Sequence, residues 1–264
     1  MKICSLFIVR PFGIPIYWRN FTEDLKNMDF SLASSFLTAM LDFSKEVIKK
    51  ELNVLEMGDL RFFFQNYKEK GFPELIVILI TDITTSVLLI RERMNLICQG
   101  FFSNIDPDEC QNQNGAIIEN KNLDTLMDSL INLGDDYSTV KIDILKQIFE
   151  NEISNGDISA GAIISLKGQI YYSSLPSEDL HTALKEIEIR SQSQTNTDAD
   201  LMPKTIFQSG NKMIFSQVVV LKALQKDPVN IVLLFAAGIT LGMADFGLED
   251  IIKKLSSLTL NSDI

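Results

Sequence analysis

The sequence predicts a mixed α/β protein of the α+β type, with two domains that each contain a five-stranded antiparallel sheet flanked by helices. Three observations predict this fold class. A chain of 264 residues is too long for one small domain and suits two domains of about 100–150 residues each. In both halves, short apolar runs alternate with longer segments of helical periodicity. Turn-forming residues separate several neighbouring apolar runs, which is typical of antiparallel hairpins.

The first half begins with a predicted hairpin. Ile3–Arg10 is a nearly continuous apolar run, as expected for a strand that is covered on both faces. Pro11-Phe12-Gly13 predicts the turn, and Ile14–Arg19 predicts the returning strand. Three further strands are predicted at Val54–Met57, Leu60–Tyr67 and Leu75–Ile80.

Two long helices are predicted in the same half. The first begins at the N-cap Ser31, runs to about Lys50, and carries a stripe of apolar side chains at steps of three and four. The stripe is Leu32, Phe36, Met40, Phe43 and Val47, widened by Leu37, Leu41 and Ile48. The second runs from about Thr84 to Phe102. Its apolar line is Val87, Ile90, Met94, Ile97 and Phe101.

A boundary between two domains is predicted near the middle of the chain. Residues 103–120 are polar and lack helical periodicity, which predicts an exposed connection. Leu123–Leu133 predicts a shorter helix that closes the first domain, and Gly134-Asp135-Asp136 caps the next helix. The domains are therefore predicted at residues 1–133 and 136–264.

The second half repeats the pattern of strands and helices. A helix to about Ile153 precedes a hairpin, a second helix opens at Pro176-Ser177, residues 191–200 predict a flexible loop, and a third helix closes the chain. The predicted strands are Ile158–Leu166, Gln169–Ser173, Lys204–Gln208, Lys212–Leu221 and Val229–Phe235. The inward positions are Leu180, Leu184 and Ile187 in the second helix, and Leu241, Ala244, Leu248, Ile251 and Leu255 in the last.

The charge of the chain is unevenly distributed. Residues 1–104 carry twelve basic and twelve acidic side chains, so the net charge of −11 belongs to residues 105–264. Nucleic-acid affinity depends on Lys and Arg that neutralise phosphates, so nucleic acid is not an expected partner. The acidic half is expected to bind a basic or neutral partner surface.

Cysteine usage and hydropathy predict a cytoplasmic protein without a membrane span. Three cysteines without paired spacing indicate free thiols and a reducing compartment, and the apolar surroundings of Cys4 and Cys98 predict that these two are buried. The apolar start of the chain is short and ends at Arg10-Pro11 without a cleavage site, so it is not expected to be a signal peptide. The apolar stretch Val229–Ala244 is shorter than the ~20 residues that a spanning helix needs. At most, the chain is expected to associate peripherally with a membrane.

No catalytic or cofactor-binding motif is found in the sequence. It has neither a GxxxxGK[ST] phosphate loop nor a GxGxxG after a strand, and it lacks a GxSxG elbow. Its single histidine, His181, falls on a predicted helix, where a solvated side chain is the ordinary case. One histidine and three cysteines also fall short of the common zinc sites. We expect a chain that is not an enzyme and has no cofactor or metal, with a Ser–Lys pair or a two-carboxylate site left open.

The first domain resembles longin. The resemblance rests on the order strand, strand, long helix, three strands, helix, helix, on Ile14-Pro15-Ile16-Tyr17 in the second strand, and on residues 34–44 at the start of the long helix. It covers residues 1–133. No SNARE-like helix and membrane anchor follow it, so a fusion role is not implied.

The second domain is similar to roadblock over residues 136–258. Gly161-Ala162-Ile163-Ile164-Ser165, Tyr172-Ser173-Ser174-Leu175-Pro176 and Leu241-Gly242-Met243-Ala244 carry this similarity. Longin and roadblock domains commonly serve as dimerising platforms for Ras-like small GTPases. The two resemblances, together with profilin-like layering, imply a non-catalytic scaffold or regulator of a small GTPase in membrane trafficking or polarity.

Partner contacts are expected at sheet edges and on one helix. An open edge strand is a template for pairing with another sheet, and the apolar line Leu180, Leu184 and Ile187 suits a dimer with self or with another longin or roadblock protein. Phe63 lies opposite Phe62 and Phe64 in the strand alternation, so it needs either a helix over its face or a partner.

Two alternative functions remain open at this level. The chain could be a coat or tether subunit of the trafficking machinery that does not touch a GTPase. It could also be a small-ligand sensor, for which a buried pocket lined by Tyr171, Tyr172 or Arg190 would be the sign.

Overall fold

The computed structural model describes residues 2–26, 28–111, 117–132, 139–154, 158–193, 204–209, 212–221 and 228–257. Backbone contacts divide the chain into two compact units. Unit 1 consists of Met1–Thr85 and Ile90–Leu133, and unit 2 consists of Ser86–Leu89 and Gly134–Ile264. Each unit holds a five-stranded antiparallel sheet flanked by helices, which confirms the predicted fold class. Independent folding of the domains 1–133 and 136–264 stays a prediction.

The sheet of unit 1 has the strand order β2-β1-β5-β4-β3, with every neighbouring pair antiparallel. Its strands are β1 (Ile3–Val9), β2 (Pro15–Asn20), β3 (Val54–Met57), β4 (Leu60–Tyr67) and β5 (Leu75–Asp82). Its helices are α1 (Phe30–Phe43), continued by a π-helical turn over Ser44–Ile48, α2 (Val87–Phe102), α3 (Pro107–Gln111) and α4 (Lys121–Asn132). The mostly apolar and almost completely buried strands β1 and β5 lie side by side in the centre, as their composition predicts.

Helices cover both faces of this sheet. On one face, Phe7, Phe64 and Ile78 pack with Leu37 of α1. On the other face, Gln65 of β4 donates a hydrogen bond to Asn95 of α2. The same face meets α4, where the hydroxyl of Tyr17 donates to Asp124 and the guanidinium of Arg19 donates to Asp128. Because helices cover both faces of the sheet, apolar residues occur at strand positions that point to either face.

Residues 103–120 are not the exposed connection that their composition predicts. Residues 107–111 form α3, in which Cys110 is fully buried, and Ile105 is buried just before it. The backbone N–H of Ile118 donates to the carbonyl oxygen of Ile16 at the edge of β2. The described part of this segment therefore belongs to unit 1, and its polar residues form its outer surface.

The start of α1 also differs from the prediction. The N-cap is Asp29 rather than Ser31, because the Asp29 carboxylate accepts a hydrogen bond from the backbone N–H of Leu32. Ser31 lies inside the helix, and its carbonyl accepts hydrogen bonds from the hydroxyls of Ser34 and Ser35.

Gly13 allows the β1–β2 turn to approach α1. Its φ is +79°, and a Cβ atom there would lie 2.7 Å from Cα of Ser35. The hydroxyl of Ser34 donates to the carbonyl oxygen of Gly13 at 2.7 Å, which ties the turn to the helix.

Replacement of Gly13 by alanine is expected to lower the free energy of unfolding by about 2–3 kcal/mol, because the left-handed backbone cost and a backbone clash add together. Gly58→Ala is the matched control, since Gly58 also has a positive φ but a Cβ there meets nothing within 4 Å. It should cost about 1–2 kcal/mol. Urea denaturation of both variants measures the difference, and equal costs would show that the turn does not press on α1.

The sheet of unit 2 has the order β7-β6-β10-β9-β8, again fully antiparallel. Its strands are β6 (Ile158–Ser165), β7 (Ile170–Ser173), β8 (Thr205–Ser209), β9 (Lys212–Val220) and β10 (Pro228–Phe235). Its helices are α5 (Thr139–Ser154), α6 (Ser177–Ser193) and α7 (Leu241–Ser257). The predicted cap at 134–136 and most of the predicted loop 191–200 lie outside the described residues. Residues 191–193 belong to α6 rather than to a loop.

The two faces of this sheet carry separate cores. Phe149 of α5 and Leu248 and Ile251 of α7 pack with Phe235 and Ile231 of β10 on one face. Leu184 of α6 packs with Val232 of β10 on the other face. Four of the five predicted inward positions of α7 are buried, but Leu241 is 56 % exposed.

All three cysteines are free and buried. Burial was predicted for Cys4 and Cys98, whereas Cys110 is buried in a segment that was predicted to be exposed. Burial raises the pKa of Cys98 to about 12 and the pKa of Cys110 to about 11. Burial also raises the pKa of Cys4.

The native thiols are therefore expected to resist alkylation at pH 8. At a pKa of 11, about one thiol in a thousand is ionised at that pH, and burial further blocks the reagent. Iodoacetamide labelling followed by mass spectrometry should detect almost no modification in the native protein and all three sites in urea. Rapid labelling of the native chain would contradict the buried positions.

Candidate functional site

The helix line predicted as a partner interface is part of a core. Leu180, Leu184 and Ile187 are all buried, and they pack with β6 and β10 in the core between α6 and the sheet of unit 2. A partner cannot reach these side chains while α6 stays on the sheet. They are core residues, and the prediction that they form an interface is corrected.

Phe63 is also buried within the chain. It shares a face of β4 with Gln65, whose side chain meets Asn95 of α2, so the helix rather than a partner is the second cover for this face. Its assignment as an interface residue is corrected in the same way.

The large exposed apolar surface of unit 1 lies on α1. Five large apolar side chains of this helix and its π-helical end are exposed, one of which is Ile48. The other four fall at steps of four, seven and four. They are Leu32, Phe36, Phe43 and Val47. We call them the α1 outer stripe. With a rise of 1.5 Å per residue, the stripe is about 22 Å long.

The inner face of α1 is narrower and more polar than the stripe. Ser34, Leu37 and Thr38 are buried there, and Leu41 is partly buried. The hydroxyl of Thr38 donates to the carbonyl oxygen of Ser34. Small hydroxyl side chains that bond to the helix backbone let α1 lie close to the sheet and the β1–β2 turn. Of the predicted apolar stripe, Leu37 and Leu41 thus pack in the core. Its largest members point away from the core.

An exposed aromatic residue lies in the turn that packs on α1. Phe12 is 85 % exposed and has φ +72°, a left-handed conformation that is rare for an aromatic residue. Its neighbour Gly13 touches Ser34 and Ser35 of α1, so Phe12 is held next to the N-terminal half of the helix. Strained, exposed aromatic residues are enriched at binding sites.

The sheet edges offer a second kind of surface. In unit 1 the edge strands are β2 and β3, and in unit 2 they are β7 and β8. The hydrogen bond from Ile118 to Ile16 occupies part of the β2 edge, so this edge is less open than the sequence predicted. The remaining space beside β2 is a cavity of about 710 Å³ between Trp18, Arg19, Lys121 and Asp124. The edges β3 and β7 have four residues each, which limits strand pairing there.

The buried guanidinium of Arg61 in unit 1 has hydrogen-bond partners within the chain. Arg61 is 1 % exposed, and its guanidinium donates to the Glu56 carboxylate at 2.8 and 3.0 Å and to the carbonyl oxygen of Thr85 at 2.7 Å. The Tyr17 hydroxyl is likewise engaged: burial, and then its hydrogen bond with Asp124, raise its pKa. Both groups stabilise packing and leave no polar atom aimed at a ligand.

The residues that would indicate a small-ligand sensor are packed. The Arg190 guanidinium donates to the hydroxyls of Thr205 at 2.9 Å and Ser216 at 3.1 Å, and burial lowers its pKa. Tyr171 is buried in a core, and the ring of Tyr172 lies 5.3 Å from that of Phe149. Tyr171, Tyr172 and Arg190 are all absent from the lining of the cavity beside β2.

Among the described residues, His, Cys, Asp and Glu side chains form no group of three that could hold a metal ion. His181 lies on α6 and is partly buried. No helix within the described ranges has both the length and the apolar character to cross a membrane.

Comparison with known proteins adds no assignment to this geometry: no family model matches the chain, and no curated protein sequence is significantly similar to it. The candidate site is therefore defined by physical features alone. It is the α1 outer stripe together with Phe12.

Proposed function

We propose that this chain is a non-catalytic interaction protein that binds a Ras-like small GTPase and acts as its scaffold or regulator, in membrane trafficking or polarity. The exposure of the α1 outer stripe carries this proposal. Leu32 is 70 % exposed and Val47 is 65 % exposed on a helix whose opposite face already packs on the sheet. A contiguous apolar surface of this kind marks a protein-binding site.

The chemistry of the surface favours a protein partner. The stripe is built from aliphatic and aromatic side chains, the types that anchor protein interfaces. Unit 1 residues up to position 104 have no net charge, and the rest of the chain is acidic, so phosphate-rich partners are disfavoured. The proposed partners are a small GTPase and a second copy of this chain or another longin or roadblock protein, with no nucleic acid.

The GTPase class comes from the resemblances to longin and roadblock. Two five-stranded antiparallel sheets, each with helices on both faces, are compatible with those resemblances and with a platform role. The proposed location is the cytoplasm, with peripheral membrane association through partners.

A pull-down tests this proposal. The full chain is immobilised and exposed to a panel of Ras-like GTPases, each loaded with GDP or with a non-hydrolysable GTP analogue. We expect at least one GTPase to be retained with a preference for one nucleotide state. Retention of none, by a chain that remains folded and self-associates, would overturn the GTPase assignment and favour the coat or tether function.

A further inference from the structure

Unit 2 carries a second exposed apolar feature, a groove beside the N-terminal half of α7. Ile158 at the start of β6 and Phe235 at the end of β10 form part of its lining, and Met243 and Phe246 of α7 line it as well. Its volume is about 320 Å³, which is at the lower end of the range for ligand pockets. We call it the α7 groove.

The exposed side chains of the groove are not needed to hold α7 in place. Ala244, Leu248 and Ile251 already bury the inner face of the helix. Phe246 is 73 % exposed and Met243 is 53 % exposed. A Phe with that exposure beside a concave apolar surface is a candidate anchor for a partner side chain.

Two glycines of α7 shape the groove. A Cβ atom at Gly247 would lie 3.2 Å from Cε1 of Phe235, so the missing side chain lets the helix approach that ring. A Cβ atom at Gly242 would meet nothing within 4 Å, although Gly242 lines the groove. A side chain introduced at Gly242 would thus enter open space rather than the core.

The rim of the groove is acidic. Glu152 of α5 and Asp250 of α7 share the single ammonium group of Lys254, with Asp250 at 2.6 Å from Nζ. Hydrogen bonds with Asp250 and Glu152 raise the pKa of Lys254. Outside the groove lining, Asp245 and Glu249 of α7 share Lys204 in the same way, at 2.6 and 2.8 Å. Four carboxylates therefore face two ammonium groups.

The charge of the whole unit points in the same direction. Residues 134–264 hold seventeen acidic and eleven basic side chains, a net charge of −6. A field of this sign attracts cationic segments and repels anionic membranes and nucleic acid.

We propose that the α7 groove docks a cationic amphipathic helix of a partner protein, which inserts an apolar side chain between Met243 and Phe246 and places Lys or Arg beside Glu152 and Asp250. An amphipathic helix in an apolar groove is a common recognition mode. The acidic rim favours an amphipathic helix with positively charged side chains. This inference is independent of the proposed binding of a GTPase.

Fluorescence anisotropy with synthetic helices tests the inference. The probes are four labelled 18-residue peptides with Leu, Phe, Ile or Met on one helical face and Lys elsewhere. Each has a matched version with Glu in place of Lys and a version with the same composition but no apolar face. At 150 mM salt we expect at least one Lys probe to bind with a Kd below 100 µM, and both matched versions to bind at least tenfold more weakly.

Groove variants connect that binding to the site. Gly242→Leu fills the groove and improves helix propensity, and Phe246→Ser removes the exposed anchor, so each should weaken the probe at least tenfold. Glu152→Gln combined with Asp250→Asn should weaken it as well. Ile189→Ser, at an exposed apolar position of α6, is the control and should leave the affinity unchanged. No binding by any Lys probe, or equal binding by wild type and Gly242→Leu, would overturn the inference.

Discussion

Replacement of Phe149 by alanine is expected to lower the free energy of unfolding of unit 2 by about 3–5 kcal/mol, the usual cost of truncating a buried aromatic side chain. Phe149 is fully buried between α5 and the sheet, in the core that also contains Phe235 and Leu248. Urea denaturation followed by circular dichroism measures the change. Gln147→Ala, on the exposed side of the same helix, should stay within about 0.5 kcal/mol of wild type.

The loss of unfolding free energy on substitution of Phe149 should depend on the residue at position 161. A Cβ atom at Gly161 would lie 2.4 Å from Cε1 of Phe149, so Gly161→Ala alone should cost about 1–3 kcal/mol by overpacking. In a Phe149→Leu background the smaller side chain makes room, and the same substitution should cost less. Additive costs in this double-mutant cycle would show that the ring does not pack over the glycine.

Substitution of the α1 outer stripe is expected to weaken partner binding at least thirtyfold, which corresponds to about 2 kcal/mol for the loss of a hot spot. The variant Leu32→Gln with Phe36→Gln removes two exposed apolar anchors and keeps good helix formers. Because both side chains are exposed, the free energy of unfolding should change by less than about 1 kcal/mol.

Light scattering and sedimentation at high micromolar concentration measure self-association in this variant and in wild type. Leu37→Gln is the matched control on the inner face of α1. It should destabilise unit 1, because it places an amide in a core beside Phe7 and Ile78. A wild-type chain that remains monomeric and recovers no partner would contradict the interface, as would a Leu32→Gln, Phe36→Gln variant with unchanged association.

Much of the fold could be predicted from the sequence, because central strands and two-sided burial have strong signatures. The aliphatic run of β5 is buried throughout from Leu75 to Thr81, and the predicted apolar line of α2, such as Ile90 and Ile97, is buried as well. The predicted hairpins are present at β1–β2 and β6–β7, apart from shifts of one or two residues at their ends. In these segments, the requirement for burial alone decided the residue type.

The errors occur where two requirements compete. In α1, apolar residues occupy both sides of the helix, and the more apolar side, with Phe36 and Phe43, faces outward. Periodicity identifies an apolar face but does not say whether the sheet or a partner covers it. The inner face could have been suspected from Ser34 and Thr38, whose small hydroxyl side chains suit close packing.

The predicted interface on α6 is wrong for the opposite reason, since there an apolar line that could suit a partner faces the core. Leu184 and Ile187 form an apolar line of the kind that also occurs at interfaces, but α6 needs that line to bury the second face of its own sheet. The position of residues 103–120 could not be predicted, because a backbone hydrogen bond from Ile118 to Ile16 holds the end of this segment against β2. Backbone bonds leave little trace in residue type.

The proposed binding of a small GTPase by the α1 outer stripe is tested most directly by a titration. The GTPase that the pull-down retains, loaded with GDP or with a GTP analogue, is titrated into three forms of the full chain: wild type, Leu32→Gln with Phe36→Gln, and Gly242→Leu. We predict a nucleotide-dependent Kd for wild type and Gly242→Leu alike, and a Kd at least thirtyfold weaker for the stripe variant. Equal affinities for wild type and the stripe variant, or affinities indifferent to the nucleotide, would contradict the proposal.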